Sequence, residues 1–457
     1  MERNQSLDAL RGISILAMVL SGSIAFGDIL PSWMYHAQVP PPDHVFDPLI
    51  PGIGWVDLVF PFFLFSMGAA IPLSLQKFIG KPDGFIGVWK TAIRRWILLT
   101  WFALFLYHMR AWVIAETPEP KDHLLSILGF FVLFMALYRP SGGTRPLVLK
   151  VMEWVGFGLS ILLLFLLPFN KGMGFQWSKS DIIIIVLGNM AFFGTLLWWY
   201  TRNNPLLRLG ILPFIMAVFI ASGQAGSWNE MVFNWSPIPW MYKFYYLKYL
   251  FILVPGMFAG EWMLQKETSI SDRYATLWIP LLSSILLISN VILLFSRHLI
   301  LNLGISSLVG IALLVLARQS TDKRSKNMAQ AGVYLLLLGL CFEAYEGGVK
   351  KDPSTYSYYF ITSGLAFFTM LFFNGLQHAK ATQKIVAYLG SNGRNPMVAY
   401  VAGSLLLLPL LQLTGLMPYF NQLNSTAWTG FLKGVLFTGT VSLITYLFTV
   451  KKWYWRT

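Results

Sequence analysis

The chain predicts an all-α fold, a polytopic transmembrane bundle of about 12–14 spans or fewer, with both termini in the cytoplasm. Three observations predict it. Hydrophobic residues make up 56% of the 457 and charged residues only 12%, with a mean hydropathy of +0.60. A soluble domain carries about a quarter charged residues. Windows of fourteen to twenty-two mainly apolar residues recur from end to end, and about twenty cross a hydrocarbon core as a helix. Finally, 24 of the 34 Lys and Arg residues fall on one side if the N-terminus is cytoplasmic, as the bias of basic loops toward the inside requires.

The candidate spans lie at about 7–27, 55–76, 95–115, 123–138, 151–169, 181–200, 208–221, 246–264, 275–295, 299–317, 330–346, 358–377, 395–414 and 430–450. The first opens on Ser6-Leu-Asp8-Ala-Leu-Arg11-Gly12 and meets no small-residue cleavage site before Pro31, so it is expected to stay as a helix. The second is entered through Asp57, an acid at the mouth of a strongly apolar run, and the third starts at Arg94-Arg95. Windows beginning near 123, 208 and 330 are the shortest. Connections reach at most about thirty residues, which leaves no room for a soluble domain and makes residues 1–457 one integral-membrane domain. No convincing internal repeat emerges, which weakens the reading as a transporter built from duplicated halves.

Net charge is +14, but the basic residues are scattered over short loops and form no stripe, so a nucleic-acid partner gains no support. The single cysteine, Cys341, permits no internal disulfide and reads as a small core hydrophobe. No GxGxxG, HExxH or cysteine pair is present, so neither a Rossmann cofactor nor a metal is expected.

Chemistry concentrates between Trp33 and Pro72. His36 sits in a short polar loop, Trp33-Met-Tyr-His36-Ala-Gln38, ahead of the helix that Asp57 opens. An imidazole titrates near neutrality and can serve as base or acyl carrier. Asp57 can orient that ring, as the acid of a triad does, or cap its own helix. His44 shares the loop, while His108, His123, His298 and His378 read as interfacial or core histidines. Asp8 and Arg11, three apart on one helical face, read as an ion pair at the helix end or as a contact for a charged ligand. Glu343 and Glu346 suit hydrogen bonding to a sugar, or pairing with Lys350 or Lys351. Most of the 18 tryptophans suit the headgroup level; those of 228–240 are where a sugar would stack.

Ser6-Leu-Asp8-Ala-Leu-Arg11-Gly12 with Met18-Val19, then Tyr35-His36-Ala37, then Asp57-Leu-Val-Phe-Pro61 with Gly68, resemble the opening of the lysosomal heparan-alpha-glucosaminide N-acetyltransferase family and its bacterial relatives. Lys351-Asp-Pro-Ser354-Thr-Tyr-Ser357 with Gly364, and Gly393-Arg394-Asn395-Pro-Met-Val-Ala-Tyr400, are similar to two later motifs of that family. Between them only Pro255-Gly-Met-Phe-Ala-Gly260 matches.

The resemblance implies a transmembrane acyltransferase of the bacterial inner membrane that moves acetyl from cytoplasmic acetyl-CoA to an amino sugar or sugar hydroxyl on the periplasmic side. It implies His36 as acetyl carrier or general base. Cations for the nucleotide are sought at Arg94, Arg95 and Arg394 with Asn395, and acceptor contacts at Glu343, Glu346, Lys351 and Ser354. Acetyl-CoA, a sugar or glycan acceptor and membrane lipids are the expected partners, with a homodimer left open. Where the family commonly has an asparagine near the outer end of the first helix, this chain has Gly22 between Ser21 and Ser23. The rival reading is a transporter or flippase for a glycan or lipid-linked precursor, using the same polar cavity without bond making.

Overall fold

A computed structural model describes residues 4–140, 146–265, 273–320 and 322–457. Its helices in chain order are α1 (Gln5–Ser21), α2 (Trp55–Leu75), α3 (Gly84–His108), α4 (Pro120–Leu137), α5 (Leu147–Leu166), α6 (Ile182–Thr201), α7 (Pro205–Ala221), α8 (Leu250–Met263), α9 (Arg273–Phe295), α10 (Leu299–Gln319), α11 (Lys323–Tyr345), α12 (Tyr356–His378), α13 (Gln383–Gly393), α14 (Pro396–Leu413) and α15 (Ala427–Val450). Short helical turns fill several connections, and one two-stranded pairing joins Tyr138–Arg139 to Tyr454–Trp455. Among the described residues, ten helices are long and apolar enough to cross a membrane. The chain is therefore a helical, multi-pass membrane protein.

Each apolar window coincides with a helix, but hydropathy misplaces some ends. α3 starts at Gly84, well before the window at 95, and stops at His108. Hydropathy marks the apolar part of a helix alone. Backbone hydrogen bonding runs on through Lys90, Arg94 and Arg95, which are good helix formers. The two arginines consequently lie inside α3 and not at its start. The 246–264 window divides into a 3₁₀ segment, Phe244–Tyr249, and the 14-residue α8. α14 carries a π-helical turn at Ala402–Leu407.

Contacts divide the chain into two compact units. The first comprises Met1–Gln76, Phe251–Arg394 and Leu423–Leu436; the second Lys77–Leu250, Asn395–Gln422 and Phe437–Thr457.

In the first unit, α12 is the central helix, buried along nearly every residue from Tyr356 to Leu371. It is apolar all round, as a helix enclosed by others must be, and it packs against α1, α2, α9 and α11. Small residues set the closest crossings. A Cβ on Gly12 of α1 would lie 2.0 Å from the Leu389 carbonyl of α13, and one on Gly393 would lie 1.9 Å from that of Asp8. Only glycine lets those two backbones touch, the packing mode expected where lipid supplies no hydrophobic drive between helices.

In the second unit α3 lies along α6, with Trp96 stacked on Phe192 at 4.8 Å. One polar knot holds the ends of several elements there. Arg110 pairs with Asp181 at 2.7 Å, and the Tyr400 hydroxyl donates to the same carboxylate at 3.0 Å. Asp181 also caps α6 through the Ile184 amide.

Candidate active site

The connection from α1 to α2 is a packed body, although it reads in the sequence as a polar loop. Ile24, Ala25, Leu30, Met34 and Tyr35 form a buried cluster, and the Tyr35 hydroxyl donates to the Ala25 carbonyl at 2.7 Å. His44 belongs to this scaffold. Its Nε2 accepts from the Gly27 amide at 2.9 Å, Nδ1 faces the Val39 carbonyl at 3.3 Å, and its ring meets those of Tyr35 and Phe26 edge-on. Both nitrogens are engaged in fixing the loop. Tyr35 and the short turn Ser32–Met34 then deliver His36 to the mouth of α2, with its side chain 36% exposed.

Asp57 combines the two roles open to it from sequence. Oδ1 faces His36 Nδ1 at 2.7 Å, while Oδ2 accepts from the Gly54 amide at 2.9 Å and the Ala37 amide at 3.3 Å. One oxygen orients the imidazole and the other closes the first turn of α2. The carboxylate is only 3% exposed, and Tyr358 of α12 braces its backbone by donating to the Asp57 carbonyl at 2.8 Å. A carboxylate on Nδ1 takes the N–H of that nitrogen and leaves Nε2 with its lone pair, the basic tautomer.

Lys351 arrives from the far end of the sequence. Its Nζ lies 3.2 Å from His36 Nδ1 and 3.4 Å from Nε2. Near-equal distances to both nitrogens put the ammonium over the ring face, because an in-plane approach would drive it into Cε1. The Nε2 lone pair, which lies in the ring plane, is left open. Lys351 sits in the loop between α11 and α12 and is partly buried; burial pulls its pKa below the ordinary lysine value, against the opposing pull of Asp57 and Asp352.

Gln38 holds this loop in place, and nothing in the sequence singles it out. Its side-chain amide donates to the Asp352 carbonyl at 2.5 Å and accepts from the Asp352 amide at 2.9 Å. The same loop is tied at Gly52, whose amide donates to the Val349 carbonyl at 2.7 Å. The only signal available in advance was position, two residues beyond His36.

Glu343 and Glu346 find partners other than Lys350 and Lys351. Glu343, buried, pairs with Arg297 at 2.5 Å. Glu346 accepts from the amides of Tyr356 and Ser357 at 2.7 and 2.8 Å and so caps α12. Helix-end amides and a nearby guanidinium were closer than the flexible lysine heads, and they outcompete them. Ser354 is 2% exposed and bonded to the Tyr359 hydroxyl. Of the four acceptor-binding candidates, Lys351 alone is brought to His36 by a direct contact.

The nucleotide candidates disperse. Arg94 is exposed and Arg95 half-buried on α3, without hydrogen-bond or ion-pair partners among the described residues. Arg394 approaches Asp8 at 3.5 Å through Nε, and its outer nitrogens have no hydrogen-bond partner among the described residues. Asn395 spends both ends of its amide on the C-terminal segment, donating to the Trp453 carbonyl at 2.8 Å and accepting from the Trp455 amide at 3.1 Å. Arg11 is likewise engaged, with Asp8 at 3.6 Å and the carbonyls of Ser66 and Gly393. Gly22 is exposed, with the nearest atom 3.8 Å from a Cβ built on it. An asparagine would fit there.

The chain belongs to the family described as a domain of unknown function, DUF5009, whose model matches residues 3–263. That stretch contains His36 and Asp57 and ends before Lys351. Comparison with curated proteins finds no match.

Proposed function

We propose that the chain is a membrane acyltransferase that moves an acetyl group from acetyl-CoA to an amino sugar or sugar hydroxyl. One observation carries the reading: His36 is held by Asp57 at 2.7 Å with its Nε2 open, the arrangement a general base or acyl carrier needs. In the base route, Nε2 takes the proton of the acceptor as its nitrogen or oxygen attacks the acetyl carbonyl. The carbon–sulfur bond then breaks, and the CoA thiolate recovers the proton from the imidazolium. Asp57 keeps the ring in register and balances its charge while it is protonated. The proposal extends to sidedness, with both termini in the cytoplasm, the dyad on the periplasmic face of a bacterial inner membrane, and Arg394 supplying guanidinium donors for the nucleotide.

Purified protein given radiolabelled acetyl-CoA and a panel of amino sugars tests the reading. Transfer that depends on His36 is the expected result. Label retained on the protein without acceptor, and absent from His36→Ala, selects the carrier route over the ternary complex. Absence of transfer to every acceptor, with a glycan moved across vesicles by His36→Ala as well as by wild type, would replace the enzyme with a flippase.

A further inference from the structure

The Lys351 ammonium lies 3.4 Å from the one open nitrogen of the dyad and off the ring plane. An acceptor N–H or O–H bonded to Nε2 lies in that plane, so the carbonyl it attacks is brought alongside Nζ. We propose that Lys351 is the oxyanion donor of this site, holding the oxygen of the acyl group as the carbonyl becomes tetrahedral; the assignment rests on the acyl-transfer reading above.

Such a donor must reach to about 3 Å of the oxygen from a fixed position, and the loop that carries Lys351 is fixed. Three restraints supply the fixity. Gln38 clamps the neighbouring Asp352 backbone on both its donor and its acceptor. The Lys350 amide donates to the Thr355 hydroxyl at 3.0 Å, and the Thr355 amide returns to the Lys350 carbonyl at 3.1 Å, closing the loop on itself. Glu346 seals the start of α12 directly after it.

The charged and titratable groups facing the ammonium are Asp57 and His36 from the first connection and α2, and Asp352 from its own loop. In the reaction the acceptor proton passes to Nε2, the new bond to the acyl carbon forms, and the carbonyl electron pair moves onto oxygen opposite Nζ. That pair returns as the leaving group departs with the proton from Nε2. Lys351 gains and loses no proton in the cycle. It must be protonated throughout, so activity falls as pH rises through its depressed pKa.

The experiment uses full-length protein in nanodiscs with two acyl donors, acetyl-CoA and the activated ester p-nitrophenyl acetate. Lys351→Met should lower kcat by about two to three powers of ten, the usual cost of removing an oxyanion donor, with KM little changed. Lys351→Arg should recover part of kcat and lift the alkaline limb of the pH profile, since guanidinium does not titrate there. Gln38→Leu should lower kcat through loss of positioning, less than Lys351→Met does. A kcat within threefold of wild type in Lys351→Met, or a loss confined to the KM of the acceptor, overturns the assignment while leaving acyl transfer standing. A wild type inert toward acetyl-CoA but active on the ester, with the same Lys351 dependence, upholds the oxyanion donor and removes the donor substrate. If Lys351→Met does not fold, an alkaline limb in wild type that Lys351→Arg fails to move overturns it.

Discussion

At the start of α1, Asp8 stands between Arg11 at 3.6 Å and Arg394 at 3.5 Å; past its other end, Asp57 stands against His36 at 2.7 Å with Lys351 above the ring. Both are a buried acid beside basic side chains, one in the first turn of α1 and the other at the first turn of α2. They differ in what is left over. Arg11 spends its donors on Ser66 and Gly393 carbonyls, and the acid beside it binds α1 to its neighbours. At the other end His36 spends one nitrogen and keeps one. The acid at the start of α1 is tied to neighbouring helices through Arg11 and Arg394, whereas the acid at the mouth of α2 holds an imidazole that is more than a third exposed.

The largest effect that could break this contrast is at His36. Replacing it with Ala should lower acetyl transfer by about two to four powers of ten with the thermal midpoint near that of wild type. Unchanged turnover would mean that the open nitrogen is idle. Asp57→Asn should come next in turnover, since an amide supports the wrong tautomer. It should also lower the midpoint, because Oδ2 caps α2.

The opposite end should answer in stability. Gly12→Ala forces a methyl to within 2.0 Å of the Leu389 carbonyl, an overpacking cost of about 1–3 kcal/mol or more. Reduced yield and midpoint are expected, with specific activity of the surviving protein unchanged. His44→Ala sharpens the comparison within a single loop. It loses the bonds to Gly27 and Val39, about 1–3 kcal/mol of unfolding stability, and only secondarily affects rate. The smallest effect is at Arg394, where Ala should weaken acetyl-CoA protection in a thermal-shift assay several-fold and leave kcat nearly intact. An equal loss in Asn395→Ala would count against this ordering, since that amide is occupied by Trp453 and Trp455.

Spans were legible because hydropathy reports what the bilayer demands of each segment, and it does so locally. His36 and Asp57 were legible for a similar reason, lying 21 residues apart in one uninterrupted stretch. Partners far apart in sequence were not. Glu343 reaches Arg297, Gln38 reaches Asp352, and Asn395 reaches Trp453; each choice depends on which backbone groups the fold leaves unpaired. Composition places Arg94 and Arg95 at a helix start because hydropathy falls there, although the hydrogen-bonded helix continues through them.

The contact between Lys351 and His36 spans 315 positions. A ribosome adding about 5–20 residues per second takes on the order of fifteen to sixty seconds to travel from one to the other. For most of that interval the nascent chain carries its histidine and aspartate without the lysine, and the segment matched by the family model, residues 3–263, is made before Lys351 exists. The order of synthesis thus leaves the contact between His36 and Lys351 unable to form until about three-quarters of the polypeptide has been made.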